Sequence, residues 1–110
     1  MTTKREIPAR LLSDPGWRAA LHILTSPLFE DAGGVWSHVY LERRSIMFDA
    51  ILAGPWSGGE LRMLRLAASL FNPDYKVALW SDLGAIDDDN ALVALEAMRL
   101  FVFGGAAEVL

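Results

Sequence analysis

The sequence predicts an α+β fold that is mainly α, with three principal helices and a small β-hairpin in a compact single domain. Two observations lead there. Three segments carry helix-start chemistry: Ser13-Asp14-Pro15, Ser57-Gly58-Gly59-Glu60 and Asp87-Asp88-Asp89-Asn90. Between the first two, Val35 to Leu41 is rich in aromatic and β-branched residues, the composition of a strand.

Residues 1–12 mix charges with Ile7, Leu11 and Leu12 and are expected to be an arm that docks through those aliphatics. Ser13 or Asp14 then caps a helix that has proline at its first position. Trp17, Ala20, Leu21, Leu24 and Leu28 make its apolar face, with Arg18, His22 and Thr25 opposite, so His22 is expected in solvent. Ser26-Pro27 ends it. After a loop over 30–34, Val35 to Leu41 is expected as a strand carrying Trp36, His38 and Tyr40 on one face. Ile46 to Phe48 would return as its hairpin partner, although 41–52 also reads as helical. Asp49 is expected to cap a short helical turn running to Ala53.

Gly54-Pro55 separates a helix-plus-hairpin half over 13–53 from a helical half over 56–103. In the capping box, the Ser57 hydroxyl accepts from the N–H three residues on and Glu60 reaches back to the N–H of Ser57. Arg62, Arg65, Ser69 and Asn72 form one narrow polar stripe on the helix that follows, so the rest is expected to lie in the middle of the core, packed by the first and last helices. Asn72-Pro73 stops it. Val77 to Trp80 suits a short strand or the entry to a one-turn helix ending at Gly84, after which the aspartates at 87–89 meet the positive end of a last helix over 91–103. That helix is apolar almost all round and must be sandwiched or meet another subunit. Residues 106–110 form an apolar tail.

Hydrophobic residues make up 53% of the chain and charged residues 22%, more apolar side chain than a small domain readily hides, which points to a protein partner or a homodimer. The net charge of -4 disfavours nucleic acid, since phosphate contacts need a concentrated basic face. With no cysteine there is no disulfide, thiolate nucleophile or Cys-based zinc site; together with the absence of an apolar leader or membrane span, this suggests a cytoplasmic protein.

Ser57 to Glu60, Asn72-Pro73, Val77 to Leu79 and Ala85-Ile86-Asp87 resemble the signature region of ABC-type ATPases. That resemblance would put the magnesium-binding aspartate and the catalytic glutamate at Trp80 and Ser81, and the phosphate-binding G-x-x-x-x-G-K-[ST] loop is missing, so nucleotide hydrolysis is not expected. Trp56 to Glu60, Asp82 to Asp89 and Asn90 to Arg99 look like a pattern in small proteins of unassigned function from actinobacteria and their phages. The resemblance implies a related fold and brings no activity with it.

The remaining constellations are weak. An EF-hand loop from Asp87 would need glycine at Leu92 and glutamate at Met98. His22 and His38 lack a nucleophile elbow to serve. Arg43, Arg44, Arg62 and Arg65 near Tyr40 would suit an RNA platform only with more aromatics beside them. The expectation is therefore a non-enzymatic protein-binding module without metal or cofactor, contacting its partner through Trp36, Tyr40, Arg43 and Arg44. The alternative is self-assembly through Leu95, Met98 and Val102 on the last helix. Of the four tryptophans, one or two left exposed would be interface anchors.

Overall fold

The structure is a computed structural model that describes residues 6–103. Six helices and one two-stranded hairpin follow in the order α1 (Ala9–Leu12), α2 (Pro15–Leu24), α3 (Gly33–Trp36), β1 (Val39–Tyr40), β2 (Ser45–Ile46), α4 (Phe48–Leu52), α5 (Gly58–Phe71) and α6 (Asp88–Phe103). A 3-10 turn at Leu83–Ala85 precedes the last helix. The three long helices are the three expected from their caps, and the mainly α, α+β architecture is present. Among the described residues, no helix is long and apolar enough to cross a membrane. The expected tail at 106–110 and the first five residues of the arm lie outside the described residues.

The caps work as their sequences dictate. Asp14 accepts from the N–H groups of Gly16 and Trp17 at 2.8 and 3.2 Å, starting α2 at Pro15. Ser57 Oγ accepts from the Glu60 N–H at 3.2 Å while Glu60 Oε1 accepts from the Ser57 N–H at 2.9 Å, closing the box at the head of α5. At the head of α6, Asp87 Oδ1 accepts from the Asn90 N–H at 2.8 Å. Each bond satisfies a helix-terminal donor that has no partner within its own helix.

The helix at the centre is α2, and this corrects the expectation that α5 would be. Both α5 and α6 pack extensively on α2 and meet each other only slightly. Ala19 and Ile23 are buried along with Trp17, Ala20, Leu21 and Leu24, so the buried surface of α2 wraps most of its circumference. Gly16 permits the close approach at one end, because a Cβ there would stand 3.0 Å from the Leu70 carbonyl oxygen of α5. An aromatic chain continues the contact: Trp17 meets Phe71 edge-on at 4.9 Å, Phe71 meets Phe48 at 5.4 Å, and Phe48 meets Tyr75 at 5.9 Å. Tyr75 donates to Asp49 at 2.7 Å, and that bond raises the phenol pKa. Asp49 therefore engages Tyr75 rather than capping α4, whose N-cap is Met47.

The hairpin exists but is shorter than expected. Only Val39 and Tyr40 pair, with Ile46 and Ser45, while Val35 and Trp36 belong to the helical turn α3. Trp36 is thus not on the strand face of Tyr40; it turns inward, and its Nε1 donates to the Phe29 carbonyl at 2.9 Å. Trp56 also packs inward, edge-on to Phe29 at 5.9 Å, with Nε1 donating to Ile51. Gly54 makes room for that ring, since a Cβ there would fall 2.9 Å from Trp56 Nε1. In the arm, Leu11 is buried and Ile7 packs on the core, whereas Leu12 faces outward from a single helical turn.

His22 is half-buried under α6 rather than solvated. Burial pushes its pKa below 6.5, against an opposing pull from Glu96 and with a smaller push from Arg99. The unfolded chain therefore binds a proton here more readily than the folded one. The stabilising contribution of neutral His22 is complete above pH 6.5 and is lost as pH falls through its lower folded value. Urea unfolding should show a lower midpoint at about pH 5.5 than at about pH 7.5, and His22→Gln should flatten that difference. An unchanged pH slope in the variant would remove the histidine from the account. Separately, Ile23→Ala should cost about 2–5 kcal/mol in the same assay if α2 is central. A loss below about 1 kcal/mol would place Ile23 at an edge.

Candidate interaction surface

Between α5 and α6 the chain makes a loop in which Leu79 and Trp80 point away from the protein, 76% and 91% exposed. The loop is pinned from below. Asp82 is buried, and its two carboxylate oxygens accept from Arg65 Nη1 and from the Ala78 N–H, each at 2.9 Å. The Asp82 N–H donates to the Ala78 carbonyl at 2.8 Å, and the Gly84 N–H lies 3.2 Å from the carbonyls of Leu79 and Trp80. One buried carboxylate thus ties the base of the loop to the polar stripe of α5. Of the two forms expected for Val77 to Trp80, the structure has the entry to a short helical turn and not the strand: the bonds from the Asp82 N–H to Ala78 and from the Gly84 N–H to Trp80 each span four residues, and a 3-10 turn follows at Leu83–Ala85.

A second exposed group sits on the hairpin. Tyr40 is exposed at the end of β1, and the Arg43 guanidinium lies 5.7 Å from its ring centroid, within cation–π range. Arg44 has φ 54°, the left-handed region that favours glycine, and closes the turn with its N–H toward the Leu41 carbonyl at 3.3 Å. Of the four hairpin contacts expected from sequence, Tyr40 and Arg43 are brought together at the tip, while Arg44 faces a cleft with Arg10, Ser13, Asp14 and Trp17. Trp36 stands apart in α3 with its indole N–H committed to Phe29.

The third region is the outer face of α6. Its buried residues are Ala94, Ala97 and Leu100, while Leu92, Leu95 and Val102 are 69%, 61% and 73% exposed. Met98, expected with Leu95 and Val102, packs partly against the core instead of sharing their exposed face. Arg99 makes a bidentate pair with Glu96, Nε to Oε1 at 2.7 Å and Nη2 to Oε2 at 2.6 Å, and this holds the Glu96 pKa below its usual range. The expected i,i+3 pair is therefore formed. Among the described residues, no group of three or more histidine or acidic side chains is placed to hold a metal ion.

Comparison of the chain with protein-family models, curated proteins and solved structures found no match. The exposed Leu79-Trp80 pair is the feature that sequence reasoning missed. Its composition alone is that of a buried strand. The available signal was the close flanking by turn formers, Asn72-Pro73-Asp74 before and Ser81-Asp82 after, which leaves too few residues to cross a core. Asp82→Ala should release the loop: hydrogen exchange at the Ala78 and Gly84 amides should quicken by about tenfold or more, the equivalent of one lost hydrogen bond. Exchange at the wild-type rate would mean that Asp82 does not hold the loop.

Proposed function

We propose that this chain is a non-enzymatic protein-binding module, a small phage or bacterial factor that occupies a partner's surface and uses Leu79 and Trp80 as its anchor. The single observation carrying the proposal is a tryptophan held out on a hydrogen-bonded pedestal. Tryptophan is the side chain most enriched among residues that dominate binding energy, and it acts by filling a desolvated pocket on the partner. A loop fixed before binding has less conformational freedom to lose on association, so more of the burial energy appears as affinity. Removing Leu79 from water contributes about 1.5–3 kcal/mol more.

Chemistry around the anchor suggests the partner's character. Asp87, Asp88 and Asp89 follow it closely in the chain and are exposed, which favours an apolar pocket rimmed by lysine or arginine. The stacked Tyr40 and Arg43, with Arg44, form a secondary contact in this proposal. Trp36 is left out of it because its indole already serves the interior.

Immobilised wild type and Trp80→Ala can be compared for capture of proteins from an extract of the source organism, with and without nuclease. The expected result is one nuclease-resistant protein at near-equal stoichiometry, bound about 30-fold or more weakly by the variant, the change that defines an anchor residue. Equal capture by both would move the contact elsewhere, and a nuclease-sensitive band would turn attention to the arginines.

A further inference from the structure

The outer face of α6 has a pattern that a second copy of the chain can match. Leu92, Leu95, Arg99 and Val102 recur at steps of three, four and three residues, the spacing of a helix–helix seam. The same set is symmetric about position 97: Leu92 lies as far before it as Val102 lies after, and Leu95 as far before as Arg99 after. An isologous interface requires that symmetry, because a two-fold axis must bring each position opposite its counterpart.

We infer that two copies of this chain associate through α6, running antiparallel about an axis level with residue 97. In that arrangement Leu92 meets Val102 of the second copy, and the aliphatic stem of Arg99 covers Leu95 of the second copy. Its guanidinium then reaches Glu96 of the second copy as well as its own. Glu96 and Arg99 are opposite in charge, and Asp88 lies one turn before Leu92, outside the Leu92 to Val102 overlap, so the antiparallel pair sets each charged group of the overlap beside its complement. Direction follows from charge too. A parallel pair would set Arg99 against Arg99 and bring both Asp87–Asp89 clusters to one end. The antiparallel pair separates those clusters by the length of a 16-residue helix, about 24 Å, and opposes the helix dipoles. A seam of this length falls short of the roughly 800 Å² per partner of a standard interface, so the dimer is expected to dissociate on dilution.

This inference does not rest on the Leu79-Trp80 anchor. Sedimentation velocity from about 1 µM to about 500 µM should show wild type and Trp80→Ala passing alike from monomer to dimer, and Leu95→Glu remaining monomeric. Glu96→Arg and Arg99→Glu should each fail to pair with themselves, since each places like charges opposite one another. Mixed together, they should form a heterodimer, because every cross-contact is then attractive; that rescue also shows both variants to be folded. A wild type that stays monomeric throughout, a dimer that survives Leu95→Glu or is lost in Trp80→Ala, or a mixture that stays monomeric would each overturn the inference.

Discussion

Small residues sealed between α2 and its two neighbours set the geometry on which the rest of the structure depends. Ala19 and Ala20 of α2, Ala67 and Ala68 of α5, and Ala94 and Ala97 of α6 are all closed to solvent, and Gly16 lies against the end of α5 with no room for a side chain. Helices that meet through alanine approach closely, and dispersion contacts over the matched backbones replace those of long side chains. The large buried residues are set around that contact instead. Phe29, Phe48, Ile51 and Met63 fill the space beside it, on α4, α5 and the segment after α2.

The same constraint explains what reaches the surface. A helix ordinarily turns its bulky apolar residues inward and its polar ones outward. On α6 the inward set is Ala94, Ala97 and Leu100, so leucines at 92 and 95 and valine at 102 are left outside. The apolar excess visible in the composition is thus not dispersed over the protein. Of the large hydrophobic side chains left exposed among the described residues, most fall between Leu79 and Phe103, in the loop before α6 and on α6 itself. Exposed apolar side chains concentrated in this way are what the two proposed surfaces are built from.

Caps and breakers were legible in the sequence because they are local: Asp14, Ser57 with Glu60, and Asp87 each bond within three residues of themselves. Which helix occupies the centre was not legible. The narrow polar stripe of α5 made it look the more enclosed, but Ala19 and Ile23 complete the buried surface of α2, and neither stood on the face that periodicity assigned to it. Helical period locates one face; it does not reveal that a second helix covers the other, which is also why His22 was expected in solvent. The hairpin shrank for a related reason. Val35 and Trp36 have strand propensity, but Trp36 finds a buried carbonyl at Phe29 from a helical turn, and tertiary hydrogen bonding overrides a preference that is itself mostly about packing. For the candidate site, the tip residues Tyr40 and Arg43 could be read in advance, being neighbours on a turn. For Leu79 and Trp80 the flanking turn formers signal only a loop; the bond that ties that loop to α5 joins Asp82 to Arg65, 17 residues apart in sequence, and no local pattern shows it.

The two proposed surfaces differ in kind, and the difference bears on how they would act together. Trp80 is a single projecting side chain suited to a pocket on an unlike protein, whereas the α6 face is extended and self-complementary. An α6-paired dimer would display two copies of the Leu79-Trp80 loop in fixed relation. If the partner also offers two sites, the second loop binds at an effective concentration set by the geometry of the dimer, and avidity rises without any new contact. A weak dimer is then an advantage for control, because the gain appears only at protein concentrations that populate it. Loss of α6 pairing would leave the affinity of each anchor unchanged while removing that concentration dependence, so the two surfaces can be separated by their thermodynamics as well as by their residues.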